Sequence, residues 1–268
     1  MWGVEHGVND AGVAAGNETI YTTLDPRGHP PALLGMDLVR LVLERSTSAA
    51  AGVELLTELL ERHGQGGSGH RDADRPYWSS FLLADAGDAW VVETSGRRWA
   101  AERVERTRAI SNRTTIPAFD AEHRHPRQPV EALVDPRLAC TRAVLAGEPV
   151  SAASVAAVLR SHVADGERGW TVCMHVDGVE ATTAAVIASL PADGPPLGRF
   201  LLGSPCTSVF VPVVVGPPLG DPPPWEAFAG VDPAVAAELE QRLWTDVDPA
   251  DPGWNAEAWR QVRAAIEA

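Results

Sequence analysis

Two short runs in which small and apolar residues alternate with polar ones open the chain, Trp2–Val8 and Val13–Glu18, separated by Asn9-Asp10-Ala11-Gly12. A period of two predicts strands. An Asn that opens the turn and a Gly that leaves it predict a tight hairpin with Gly12 at positive φ. From Leu34 the period lengthens. Leu34, Leu38, Leu41 and Val42 make one helical stripe, and Val53, Leu56, Leu59 and Leu60 a second, closed by the stop "HGQGGSG". The period returns to two in "SSFLLADAGDAWVVETSGRRWAAERV", which predicts an antiparallel meander of strands at 81–85, 89–95 and 98–104. Trp90 and Val92 are expected on one side of it, with Trp99 packed into a neighbouring layer.

"TRAISNRTTI" reads as a further strand and turn, and the proline-rich residues 117–135 as a surface loop. "SAASVAAVLRSHVADG" has a Ser cap and a Gly stop and reads as a helix. "WTVCMHVDG", "TTAAVIASLP" and "SVFVPVVVG" read as strands, and "PAVAAELEQRLW" and "NAEAWRQVRAAIEA" as helices. Strands and helices come in blocks with antiparallel turns, which predicts an α+β layered fold and not a nucleotide-binding alternation. Residues 1–216 are expected to form one domain, and 217–268 a Pro/Trp-rich linker with a helical tail.

Composition narrows the function. The 268 residues carry a net charge of −14. That opposes binding to nucleic acid or to an anionic membrane, both of which need clustered basic charge. All 22 basic residues are arginine, a coding bias more than a site requirement. No apolar run approaches a membrane span and no signal peptide is visible, so a cytoplasmic location is expected. The three cysteines, Cys140, Cys173 and Cys206, are too widely spaced to suggest a disulfide framework or a zinc knuckle.

Four groups of residues carry candidate chemistry. Asp120, His123 and His125 in "FDAEHRHP" have metal-ligand types, but a solvated loop is the better reading, and no metal or cofactor is expected. Cys173 and His175 share a strand face at i and i+2, so thiol and imidazole meet as a nucleophile pair or pack in a core strand. Cys206 to Ser208 stand at the entrance of an apolar strand. Asn17 and Asn112 end strands, where an amide satisfies turn backbone or donates to a developing oxyanion.

"MWGVEHGVNDAGVAAGNE", "ALLGMDLVRLVLER", "LLERHGQGG", the meander, "RAISN", "LRSH" and "TVCMH" followed by "TTAA" stand in an order and at intervals that resemble the secernins and related dipeptidases of peptidase family C69. The likeness is closest over residues 1 to 116 and patchier to about 215. It implies an N-terminal-nucleophile hydrolase fold, two antiparallel sheets between helical layers. It implies amide hydrolysis through an acyl-enzyme, with a cysteine at residue 1 of the mature chain whose own α-amine is the base. The implied substrates are dipeptides or small amides, and a homo-oligomer stays open.

By looser similarity to bile-salt-hydrolase-like proteins, Asn17 and Asn112 face the acyl oxygen and the substrate, and the two amides are expected to approach each other; His175 and Ser208 are further substrate-binding candidates. Two departures accompany the resemblance. Met1 falls inside a motif that relatives precede with the nucleophilic cysteine and the first strands, so the chain is expected to lack its nucleophile and those strands, and to be inactive. The Arg124–Glu148 loop is shorter than in relatives. The rival readings are a non-catalytic binding protein that keeps the fold, and a self-contained enzyme using Cys173 and His175.

Overall fold

The computed structural model describes residues 2–70, 73–147, 149–163, 169–216 and 231–245, with isolated positions beyond 255. It divides into two units, Met1–Leu138 and Ala139–Ala268. This division differs from the one expected at 216. The second expected tail helix, "NAEAWRQVRAAIEA", falls largely outside the described residues.

In the first unit, β1 (His6–Val8) and β2 (Ala14–Ile20) pair antiparallel, His6 opposite Gly16 and Val8 opposite Ala14. Gly12 leaves the turn at φ 83, as expected for a residue without a Cβ. The first strand is shorter than the expected Trp2–Val8. Residues 2–5 lie outside the ladder, and the Val4 N–H donates instead to the Met36 carbonyl at 3.0 Å. Asn9 does more than turn the chain. Its Oδ1 accepts from the Val13 N–H at 2.8 Å, while Nδ2 donates to the carbonyls of Leu43 at 3.0 Å and Ser46 at 2.8 Å.

Those carbonyls end α1 (Gly35–Arg45), which is followed by α2 (Ala49–His63). Both helical stripes match the sequence pattern. Ser48 caps α2 by accepting from the Ala51 N–H, and Gly64 stops it at φ 77. Strands β3 (Trp78–Ala84), β4 (Ala89–Ser95) and β5 (Arg98–Arg103) complete a sheet of order β1-β2-β3-β4-β5, all antiparallel. One face packs on α1 and α2 through Val13, Ala15, Phe81, Leu83 and Val92 against Leu38, Val42, Leu56 and Leu60. Each of these Val, Leu and Phe side chains contributes roughly 1.5–3 kcal/mol by leaving water. Trp90 joins Val92 in this layer. Trp99 sits at its rim, 37% exposed, with its indole N–H on Glu61.

Two expectations are corrected here. Residues 107–116 form no strand beyond a bridge between Ser111 and Arg113. Residues 117–135 are not a solvated loop but contain α3 (Pro117–His123) and α4 (Val130–Leu133), after which α5 (Asp135–Ala146) begins. The reason is that Pro117 starts a helix whose Phe119, with Ile116, buries against Val91 on the second face of the sheet.

In the second unit, α6 (Ala152–Leu159) has its Ser151 cap but ends before the glycine stop. A two-stranded ribbon of β6 (His175–Val176) and β7 (Glu180–Ala181) precedes β8 (Ala184–Ser189), β9 (Leu197–Leu202) and β10 (Val211–Val214). The last three form an antiparallel sheet of order β10-β9-β8. Its central strand, "LGRFLL", escaped the pattern because a glycine and an arginine interrupt the apolar run. Helix α7 (Pro233–Thr245) packs Ala236, Leu239 and Leu243 against β10. Among the described residues no helix is long and apolar enough to cross a membrane.

The Asn9 tie tests how the hairpin is held. Asn9→Ala removes three partly buried bonds and leaves two helix-end carbonyls without their donor. It is expected to lower the unfolding free energy by about 2–3 kcal/mol. The readout is the denaturant midpoint at unchanged m-value. A midpoint that does not move would show that solvent replaces the amide.

Candidate active site

Strand alternation decides what β2 offers. Asn17 points with Val13 and Ala15 toward α1, where its Nδ2 would lie 2.7 Å from a Cβ on Gly35. Ser79 Oγ would clash with the same point, so only glycine lets α1 start this close to the sheet. Around them is a buried polar cluster in which Gln65 Nε2 donates to Ser79 Oγ at 2.8 Å and Thr94 Oγ1 donates to Gln65 Oε1 at 2.7 Å. The Asn17 Oδ1 is buried and has no protein partner.

Glu18 faces the other way. Across the ladder it lies opposite Ser80, and Ser80 lies opposite Glu93, so the three side chains form one row on the second face of the sheet. Glu93 is fully buried and accepts from the Thr115 N–H at 2.6 Å, the Thr115 hydroxyl at 2.8 Å and the Ile116 N–H at 3.1 Å. Burial raises its pKa against these bonds. Ser80 Oγ, also buried, has no hydrogen-bond partner.

Asn112 sits over the Glu18 end of this row. Its Nδ2 donates to Glu18 Oε2 at 3.3 Å and to the Thr19 carbonyl at 3.1 Å, and its Oδ1 accepts from Arg137 Nη2 at 2.9 Å. Gln128 Nε2 donates to the Asn112 carbonyl at 2.5 Å. Burial pushes Glu18 up to about 7, partly opposed by the Arg137 guanidinium and by the Asn112 amide. Burial likewise lowers the pKa of Arg137.

Asn17 and Asn112 therefore do not approach each other. Asn17 points to the helical face of β2 and Asn112 bonds to Glu18 on the other, because neighbouring residues of a strand point apart. Both N–H groups of Asn112 are also occupied, so the amide orients Glu18 and Arg137 and holds no donor open for an oxyanion. Glu18, Ser80, Glu93 and Arg137 were missed by the sequence reading. The period-two pattern of the strands was the signal that would have placed the first three on one face.

The other candidates separate as well. Asp120 pairs with Arg113 and bonds to the Thr114 hydroxyl, His123 is buried with its ring 4.3 Å from that of Phe119, and His125 Nδ1 accepts from the Arg127 N–H at 3.2 Å. They share no metal-sized space, and the reason is helical: α3 turns His123 inward onto Phe119. A cavity of about 670 Å³ in the first unit is lined by His29, His63, Gln65, Arg97, Arg98 and His123 among others, and includes none of the Glu18 row.

In the second unit Cys173 Sγ does meet His175 Nε2, at 3.4 Å. Cys206 Sγ lies 3.3 Å from the same nitrogen. Burial pushes the Cys173 thiol up to about 11, the reverse of what an activated nucleophile needs. Ser208 is buried with its hydroxyl unpartnered.

An antiparallel sheet with α1 and α2 on one face, and α3 beside a buried, charged row on the other, defines an α+β domain with the elements of a polar ligand site. The family model of peptidase family C69 matches residues 2–134. Among solved structures the chain is similar to "Structure of Penicillin V acylase from Agrobacterium tumefaciens", at 17% identity and a TM-score of 0.48. The similarity covers 78% of this chain and 65% of that one, so the chain spans less than two thirds of that structure's length.

Glu18 allows a direct test of the row. Its folded-state pKa, about 7, lies above the ordinary 4.5, so the native chain binds more protons than the unfolded chain between these values. Its contribution to stability is therefore fully present below pH 4.5 and is lost as the pH rises through about 7. Glu18→Gln keeps the acceptor for Asn112 and removes the titration. Unfolding titrations from pH 4.5 to pH 7 should show the variant losing less stability than the parent. Parallel curves would mean that the carboxylate is solvated.

Proposed function

We propose that this chain is a secernin-like member of peptidase family C69 whose first unit binds unblocked dipeptides or small amides for hydrolysis through a cysteine acyl-enzyme. The match of residues 2–134 to the family carries the reading. The Glu18–Asn112–Arg137 constellation supplies a recognition chemistry for it. A dipeptide presents an ammonium and a carboxylate, and a carboxylate and a guanidinium held 3.3 Å and 2.9 Å from one amide are their complements. Asn112 is then a positioning residue, and Glu18 and Arg137 are the groups that meet the substrate's ends. A cytoplasmic location belongs to the same proposal.

The nucleophile of this proposal is not one of the chain's own cysteines. Cys140, Cys173 and Cys206 are all internal, and an N-terminal nucleophile needs thiol and free α-amine on one residue. The 268-residue chain is accordingly expected to bind dipeptides without turning them over. A non-catalytic binding role is the second reading, and the observation favouring it is that all three cysteines fall in the unit Ala139–Ala268, beyond the family match.

Calorimetric titration of the purified chain with unblocked dipeptides tests the recognition. Binding is expected, and Asn112→Ala should weaken it at least about tenfold, the equivalent of one lost charge-assisted contact. Absence of binding to any unblocked dipeptide would overturn the substrate reading. Dipeptide hydrolysis by the same preparation, with and without a thiol alkylator, tests the nucleophile. Alkylator-sensitive turnover would return Cys173 and His175 to the catalytic role.

A further inference from the structure

The second unit gathers two thiols and two imidazoles that the sequence scatters. His162 follows α6, Cys173 and His175 lead into β6, and Cys206 lies in the 3₁₀ turn Pro205–Thr207 between β9 and β10. One ligand atom from each of the four lies within 4.8 Å of the others. A tetrahedral zinc with two sulfur and two nitrogen ligands needs nitrogen-to-sulfur edges of about 3.5 Å, from its usual bond lengths. The His175 Nε2 distances to Cys173 Sγ and Cys206 Sγ, 3.4 and 3.3 Å, already match two such edges. The rings of His162 and His175 stand edge to face with centroids 5.1 Å apart, which brings the fourth donor to the same point.

The backbone around the four is held. The Cys173 N–H donates to the Ser161 carbonyl at 3.0 Å, tying the segment before His162 to the thiol, and the Thr171 hydroxyl donates to the Cys173 carbonyl at 2.6 Å. Arg160 donates to the carbonyls of Pro205 at 2.8 Å and Ser208 at 3.1 Å, on either side of Cys206, and is itself paired with the buried Glu240. Such outer bonds orient metal ligands before the ion arrives.

We propose that His162, Cys173, His175 and Cys206 form a structural zinc site of the Cys₂His₂ type. Binding displaces the two thiol protons, and four protein ligands fill the coordination shell, leaving no position for a reactive water. The ion ties the end of α6, the β6–β7 ribbon and the β9–β10 connection together. A disulfide between Cys173 and Cys206 would leave two convergent imidazoles unexplained, and a Cys173–His175 nucleophile pair would leave His162 and Cys206 so. The proposal does not rest on the hydrolase reading, since all four ligands lie beyond residues 2–134.

The test is metal content and affinity of the full chain. After growth with zinc, elemental analysis should find one zinc per chain, and cobalt(II) added to the metal-stripped protein should give the intense visible bands of tetrahedral thiolate coordination. Zinc should also raise the melting temperature by at least about 4 °C. In competition with a chromogenic chelator, His162→Ala and Cys206→Ser should each weaken zinc by more than about 100-fold, while His125→Ala leaves it unchanged. The His162 ring is exposed, so its variant is the one expected to keep its fold, checked by circular dichroism. Failure of the parent chain to bind zinc would overturn the site, as would binding unaltered by either variant. So would an intact mass two hydrogens short, from a Cys173–Cys206 disulfide, with no zinc uptake after reduction.

Discussion

The arrangement of the first unit depends on one geometric constraint, the alternation of side chains along β2. Asn17 and Glu18 are neighbours in sequence, yet one is committed to the helical layer and the other to the opposite face of the sheet. Sliding the strand by one residue would place Val13 and Ala15 in the polar row and Glu18 among Leu38, Val42 and Phe81, a cost no local rearrangement recovers. Register is therefore pinned by the apolar face, and the charged face follows without further instruction. Asn9 and Gly35 serve the same end. The first fastens the hairpin to the end of α1, and the second lets the start of α1 close on Ser79 and Asn17.

Both units use a buried carboxylate to hold a neighbouring segment. Glu93 accepts two backbone N–H groups at the start of α3, and Glu240 on α7 accepts the Phe210 N–H at 2.7 Å while pairing with Arg160. A carboxylate withdrawn from water is costly unless its lone pairs are filled, and these two are filled by donors that secondary structure would otherwise leave orphaned. Glu18 differs. Its donor is one amide N–H, from Asn112, the Arg137 guanidinium that Asn112 also holds acts on it through its charge, and burial outweighs both enough to carry its pKa to about 7. Within the first unit that imbalance sets Glu18 apart from a purely structural carboxylate, because a half-compensated charge is one that a ligand's ammonium still stabilises.

What the sequence determined by itself was local. The hairpin turn with Gly12 at positive φ, both helical stripes, the meander and the Ser151 cap were legible because each depends on residues fewer than a dozen apart, whose periodicity and turn chemistry are read directly. The resemblance to peptidase family C69 was legible in the same way, from strings in order. Tertiary structure alone decided the sites. Glu18, Ser80 and Glu93 become a row only through the pairing of β2, β3 and β4, and Asn112 reaches Glu18 across 94 residues of chain. The proline-rich stretch 117–135 became helix because Phe119 and Val130 found apolar cover that no local signal announces. His162, Cys173, His175 and Cys206 carry no ligand spacing that a motif would catch, and only the folding of α6, the ribbon and the β9–β10 turn onto one another brings their donors within bonding range of a single ion.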